Sequence, residues 1–144
     1  RQRVLIHGDP QYNNFINQSP HPIMYNGKVY PTAEHLFQAF KYMDNRPDIS
    51  ERIRTLSNSP IQVFHYGRTQ WRHQHPDWDR LRTAKMEIVH WYKFTQHPEL
   101  EAQLLATGEA ELYFTTDKFW GVGEDQQGKN ELGKALERVR SSLR

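Results

Sequence analysis

The apolar positions of this chain fall into two spacings, and the places where one gives way to the other mark its elements. Val4-Leu5-Ile6 is a short apolar run suited to a buried strand. Ile23-Met24-Tyr25 and Lys28-Val29-Tyr30 flank Asn26-Gly27, whose residues accept the positive φ that a tight hairpin turn demands. From Thr32 the spacing becomes helical, with Leu36, Phe37, Phe40 and Met43 on one side. This predicts a helix to about Tyr42 or Met43, with Thr32 as N-cap and His35 at N3. Ile49, Ile53 and Leu56 predict a second helix between Pro47 and Leu56. Ser59-Pro60-Ile61-Gln62 reads as N-cap, N1 proline and N3 glutamine of a third, which Gly67 closes. A polar loop, Arg68 to His75, leads to the longest helix, from Pro76 or Asp77 through Leu81, Ile88 and Tyr92 to about Gln96. Pro98 restarts a helix that ends at Gly108, and Glu111 to Thr115 alternates as a strand with Leu112 and Phe114 on one side. A glycine-rich loop, Asp117 to Lys129, precedes a last helix from Asn130 to Leu143 carrying Leu132, Leu136 and Val139. Helices dominate and parallel βαβ order is not evident. The expectation is an α+β fold, a mostly helical single domain over residues 1–144 with a few short strands.

Composition changes this picture in three ways. Apolar residues are only 36% and mean hydropathy is −0.92, yet 4 Trp, 7 Tyr and 7 Phe supply large buriable side chains, which excludes disorder for most of the length. Nothing approaches the ~18 apolar residues of a spanning helix, and no secretory leader pattern opens the sequence. Cysteine is absent, which removes disulfides, thiolate nucleophiles and zinc fingers and fits a cytoplasmic protein without membrane partners. The net charge of +2 is too balanced for a dedicated duplex binder. Residues 51–93 are locally basic, with eight Lys and Arg against four Asp and Glu. That fits an anionic or phosphate-bearing partner, or a merely solvated face.

Three groups of residues carry candidate chemistry. Glu34, Gln38 and Lys41 fall within ~60° of one another on the first helix, a carboxylate, an amide and an ammonium beside a core-facing stripe. The plainer reading is an ordinary polar stripe on a solvated face. Asp117-Lys118-Phe119-Trp120-Gly121-Val122-Gly123, followed by Gly128-Lys129-Asn130, is a glycine-rich approach to a helix N-terminus, where free N–H groups favour anions and Trp120 can stack on a ring. Alternatively it is a plain loop with Asn130 as an N-cap. It has neither P-loop nor dinucleotide-fold spacing. Trp78, with Arg82 and Lys85 one and two turns further along, suits either a pocket wall for a flat ring and phosphate or a core aromatic. The eight histidines show no ligand spacing, so no metal and no cofactor is expected, and no nucleophile elbow supports a Ser-His-Asp triad.

Together these segments resemble the NADAR (YbiA-like) family. The resemblance runs in family order from Asn14-Phe15 through Gly27 to Lys41, Trp78 to Met86, Lys93 to Gln96, Leu104 to Gly108 and Asp117 to Gly133. It implies hydrolysis of an N-glycosidic bond to a phosphorylated ribose. The expected substrates are ribosylamino-pyrimidine phosphates, which are riboflavin intermediates. The alternatives are removal of ADP-ribose from guanine in DNA or RNA, and a non-catalytic module that holds ADP-ribose or an NAD-derived ligand. By position, the resemblance makes Glu34, Asp117, Trp78 and Lys41 the catalytic candidates. Glu34 is cast as the carboxylate that activates water or steadies the oxocarbenium, with Asp117 as its partner. Lys41 is either an ionic clamp or an amine that attacks a ring-opened sugar. Asn14, His35, Gln38, Arg82, Lys85, Trp120, Gly121, Gly123 and Asn130 are the expected substrate contacts.

Overall fold

In the computed structural model, which describes residues 1–144, Asn26 and Gly27 take φ of 53° and 79°. Their turn pairs β2 (Ile23–Tyr25) with β3 (Lys28–Tyr30) antiparallel, Met24 opposite Val29. Thr32 then caps α1 (Ala33–Phe40), its hydroxyl accepting the His35 N–H at 3.2 Å. Every residue of α1 is buried, Glu34, His35 and Gln38 included, because α2 (Pro47–Thr55), α3 (Pro60–Thr69), α4 (Trp78–Gln96) and β3 surround it. The polar stripe is therefore no solvated face; it is enclosed by neighbouring helices.

Pro47, Pro60 and Pro98 each sit in a first helical turn, where the missing N–H costs nothing. Helix α5 (Pro98–Ala106) gives way at Gly108, which takes φ +63°. The third helix does not stop at Gly67, as its sequence suggested; it runs on to Thr69 and is followed by a 3₁₀ turn at Trp71–His73. Gly67 has a different reason to be glycine. A Cβ there would overlap the Gln38 amide of α1, lying 3.2 Å from its Cδ and closer still to its Oε1.

Parallel pairing, not evident in the sequence, is present. β1 (Arg3–Leu5) lies parallel to β4 (Glu111–Tyr113), with Val4 opposite Leu112. Helix α6 (Glu131–Leu143) packs on β4 and on α4. One connected cluster of 24 buried apolar side chains runs from Ile6 and Leu112 beside the strands to Ile53 and Val63 in α2 and α3. No helix is long and apolar enough to cross a membrane.

Candidate active site

A cavity of about 520 Å³ opens where α1, α3, the Ile16–Gln18 segment and the Thr116–Trp120 loop converge. Its wall of Phe37, Ile61, Phe64 and Trp120 is apolar; its other lining groups include Asn17, Gln18, Glu34, Gln38, Lys41 and Asp117. Glu34 is only 5% exposed. Gln38, one turn along α1, donates to one carboxylate oxygen at 2.7 Å, and Gln18 donates to the other at 3.2 Å. Burial pushes the Glu34 carboxyl above the ordinary glutamate range, against the hydrogen bond from Gln38 and the charge of Lys41. Burial likewise lowers the Lys41 ammonium; Glu34 opposes that shift, while Arg68 and Arg82 reinforce it. Arg68 and Arg82 thus act on the charge of Lys41, although neither lines the cavity.

Asp117 stands in the opposite regime. It is exposed, and its Oδ1 accepts the N–H groups of Phe119 at 2.9 Å and Trp120 at 2.6 Å. That turn sets the Trp120 ring edge-on to Phe37, centroids 5.5 Å apart. The cavity therefore brings together Glu34, Gln38, Lys41, Asp117 and Trp120 from the sequence-derived candidates.

The other candidates lie elsewhere. Trp78 is 5% exposed and packs behind Phe37 at 5.3 Å, a core aromatic one layer below the lining. His35 is fully buried, its ring nitrogens engaged by the Thr32 hydroxyl at 2.8 Å and the Ser57 carbonyl at 2.7 Å, so it locks the start of α1 and does not line the cavity. Asn14 is exposed, its carbonyl taking the Ser19 hydroxyl. Lys85 sits over the Phe40 ring at 4.9 Å. Arg82 stacks its guanidinium 3.6 Å from the Phe119 centroid and keeps a buried Nε without a partner. The glycine-rich loop is not an anion cradle. The N–H groups of Asn130, Glu131 and Leu132 at the start of α6 are taken by the carbonyls of Gly121, Phe119 and Trp120 at 2.9 to 3.0 Å. Asn130 holds the N-cap position, its carbonyl accepting the Lys134 N–H at 3.0 Å, but its side chain caps nothing: it adopts φ 54°, and its amide bridges the Leu112 carbonyl and the Phe114 N–H. Gly121 and Gly123 are buried within that packing; a Cβ on Gly121 would sit 2.7 Å from the Phe114 carbonyl.

The family model of the NADAR domain matches residues 9–144. The chain belongs to the NADAR family. Within that family it is 39% identical over 134 residues to the N-glycosidase YbiA of Escherichia coli (strain K12), an alignment covering 92% of this chain and 82% of that protein. It is 36% identical over 137 residues to the riboflavin biosynthesis protein VVA0006 of Vibrio vulnificus, covering 94% of this chain and 36% of that one. The NMR structure of E. coli YbiA superposes with a TM-score of 0.85 at 36% identity, over 99% of this chain and 86% of that chain. This NADAR chain therefore has the YbiA-like, mostly helical α+β fold.

The sequence did not point to Asn17, Gln18, Ile61 or Phe64 as lining residues. The apolar pair lies at i and i+3 on α3, a spacing that reads as core unless the facing surface is known.

Proposed function

We propose that this chain is an N-glycosidase that hydrolyses the bond between a phosphorylated ribose and the amine nitrogen of a pyrimidine, and that it works in the cytoplasm. The observation that carries this reading is the cavity shared by Glu34 and Asp117. The names borne by the relatives, N-glycosidase and riboflavin biosynthesis protein, point to the same substrate class.

Cleavage moves positive charge onto the anomeric carbon and negative charge onto the leaving nitrogen. Glu34, in ionised form, faces the sugar: it takes a proton from the attacking water and steadies the oxocarbenium. Gln38 and Gln18 hold its two oxygens, so the carboxylate meets the anomeric carbon in a fixed orientation. Asp117, at the cavity rim, binds the ribose hydroxyls with the oxygen that the loop leaves free. Trp120 and Phe64 flank the leaving ring. Lys41 clamps the phosphate, with Arg68 and Arg82 supplying further positive charge. The bond made is C–O and the bond broken is C–N; one hydrogen of the water stays on the new anomeric hydroxyl, and the proton taken by Glu34 passes to the released amine, which restores the carboxylate.

The test is a cleavage assay on a ribosylamino-pyrimidine phosphate, read as release of ribose 5-phosphate. Turnover by the wild type, lost in Glu34→Gln, supports the reading; equal turnover by both defeats it. A second reading is removal of ADP-ribose from guanine in nucleic acid. It is favoured by the surface beyond α3, where Trp71 is 60% exposed with the Arg72 guanidinium 5.4 Å from its ring centroid. A polymer substrate engages several phosphates, so its turnover weakens steeply with salt, whereas cleavage of the small substrate does not.

A further inference from the structure

Lys93, deep in α4, has no exposure to solvent. An ammonium buried without a carboxylate partner is a costly group for a small fold, and a methionine would fill a similar volume without that penalty. What the amine does is make two hydrogen bonds. Its Nζ donates to the Ile16 carbonyl at 2.6 Å and to the Ser19 hydroxyl at 2.7 Å.

Those acceptors bracket the two residues that touch Glu34 from behind. The Asn17 carbonyl accepts the Glu34 backbone N–H at 3.0 Å, and the Gln18 amide donates to the Glu34 carboxylate. His90, one turn earlier on α4, meets Asn17 Oδ1 at 2.8 Å. Helix α4 therefore grips residues 16–19 at four points, the fourth being Met86 Sδ, which accepts from the Asn17 side-chain amide at 3.6 Å, and that segment grips Glu34 at two. We propose that Lys93 is a positioning residue for Glu34: it staples Ile16 to Ser19, which keeps Asn17 and Gln18 seated against the backbone and carboxylate of Glu34. This inference rests on the reading of Glu34 as the catalytic carboxylate. Lys93 acts through the segment and not through its charge; the cation that bears on Glu34 is Lys41.

The experiment compares Lys93→Met with wild type by NMR amide exchange and by steady-state kinetics on the ribosylamino-pyrimidine phosphate. In the variant, exchange at the Glu34 amide rises about tenfold or more while Leu136 in α6 keeps its protection. kcat falls roughly 30-fold with KM within about twofold, the signature of a misplaced catalytic group. Unchanged exchange at Glu34, or equal acceleration at Glu34 and Leu136, overturns the proposal. So does wild-type kcat in Lys93→Met where Glu34→Gln is impaired. If Glu34→Gln turns over like the wild type, the catalytic reading of Glu34 fails, and the exchange data still judge the staple by themselves. If Lys93→Met does not fold, Ser19→Ala removes one of the two anchors and is held to the same readouts: faster exchange confined to the Glu34 end supports the staple, and unchanged exchange there overturns it.

Discussion

The two acids of the cavity differ in almost every physical respect. Glu34 sits on a fully buried helix, clasped by two side-chain amides, with burial driving its carboxyl toward the neutral form. Asp117 sits on an exposed loop and spends one oxygen on ordering that loop. The floor of the site thus holds a fixed carboxylate of perturbed proton affinity and the rim an exposed one with a free oxygen; on the proposed reading the first moves the proton and the second meets substrate. The difference teaches that two carboxylates in one hollow need not share labour symmetrically: environment sets which one is tuned for proton transfer.

Several substitutions break or sharpen that contrast, from largest effect to smallest. Glu34→Gln lowers kcat by ~10² or more, the scale of lost acid–base catalysis, in the ribose 5-phosphate release assay. Asp117→Asn keeps an oxygen to cap the loop and loses the charge; kcat/KM falls by about 10-fold, through KM more than kcat. An equal kcat loss in both variants would erase the distinction between floor and rim. Gly67→Ala favours the helix by up to ~1 kcal/mol yet displaces the Gln38 amide, so kcat drops by roughly 5–10-fold with Tm unchanged or raised. In a Gln38→Ala background the same change has no further effect, which a double-mutant cycle detects.

The smallest effect concerns pH. Because the folded Glu34 holds its proton more tightly than the unfolded chain does, its contribution to stability is complete below the ordinary glutamate value of 4.5 and is lost as pH rises through its raised native pKa. Glu34→Gln removes that slope, so urea unfolding finds the variant gaining on wild type as pH increases across this window. Lys93 has the opposite profile. Its native pKa is brought down to about 7 by burial, so the unfolded chain binds more protons between there and 10.5, and stability rises with pH over that range. Lys93→Met flattens this rise.

Local signals were the ones legible in the sequence. The Asn26-Gly27 hairpin, the Thr32 and Ser59 caps and the first-turn prolines depend on residues within one turn, and the chain obeys them. Spacing put Glu34, Gln38 and Lys41 on one helix face, where an ordinary polar stripe was the plainer reading; the family resemblance made Glu34, Lys41 and Asp117 catalytic candidates. What stayed hidden depends on distant partners. Gly67 read as a helix terminator because its true neighbour, Gln38, is 29 positions away. The start of α6 was open between an anion site and a plain capped loop, because nothing local reveals that loop carbonyls from residues 119–121 occupy its N–H groups. Trp78 was open between core and pocket, and only the position of Phe37 decides it. Lys93 lay in a segment that carries the family resemblance, yet nothing marked it as buried, since a lysine on an amphipathic helix ordinarily faces water.

The parallel pairing of β1 with β4 has a bearing on how the enzyme comes into being. Leu5 and Tyr113 are partners far apart in the chain, so that pair cannot close until everything between them has left the ribosome. His7, just after β1, and Asp117, just after β4, both line the cavity. The hairpin and α1 are made of local contacts and can form early, while the rim waits for a slow, long-loop closure. During synthesis the nascent chain therefore carries its deep carboxylate before it owns a complete pocket, which the closing of the strands helps to finish.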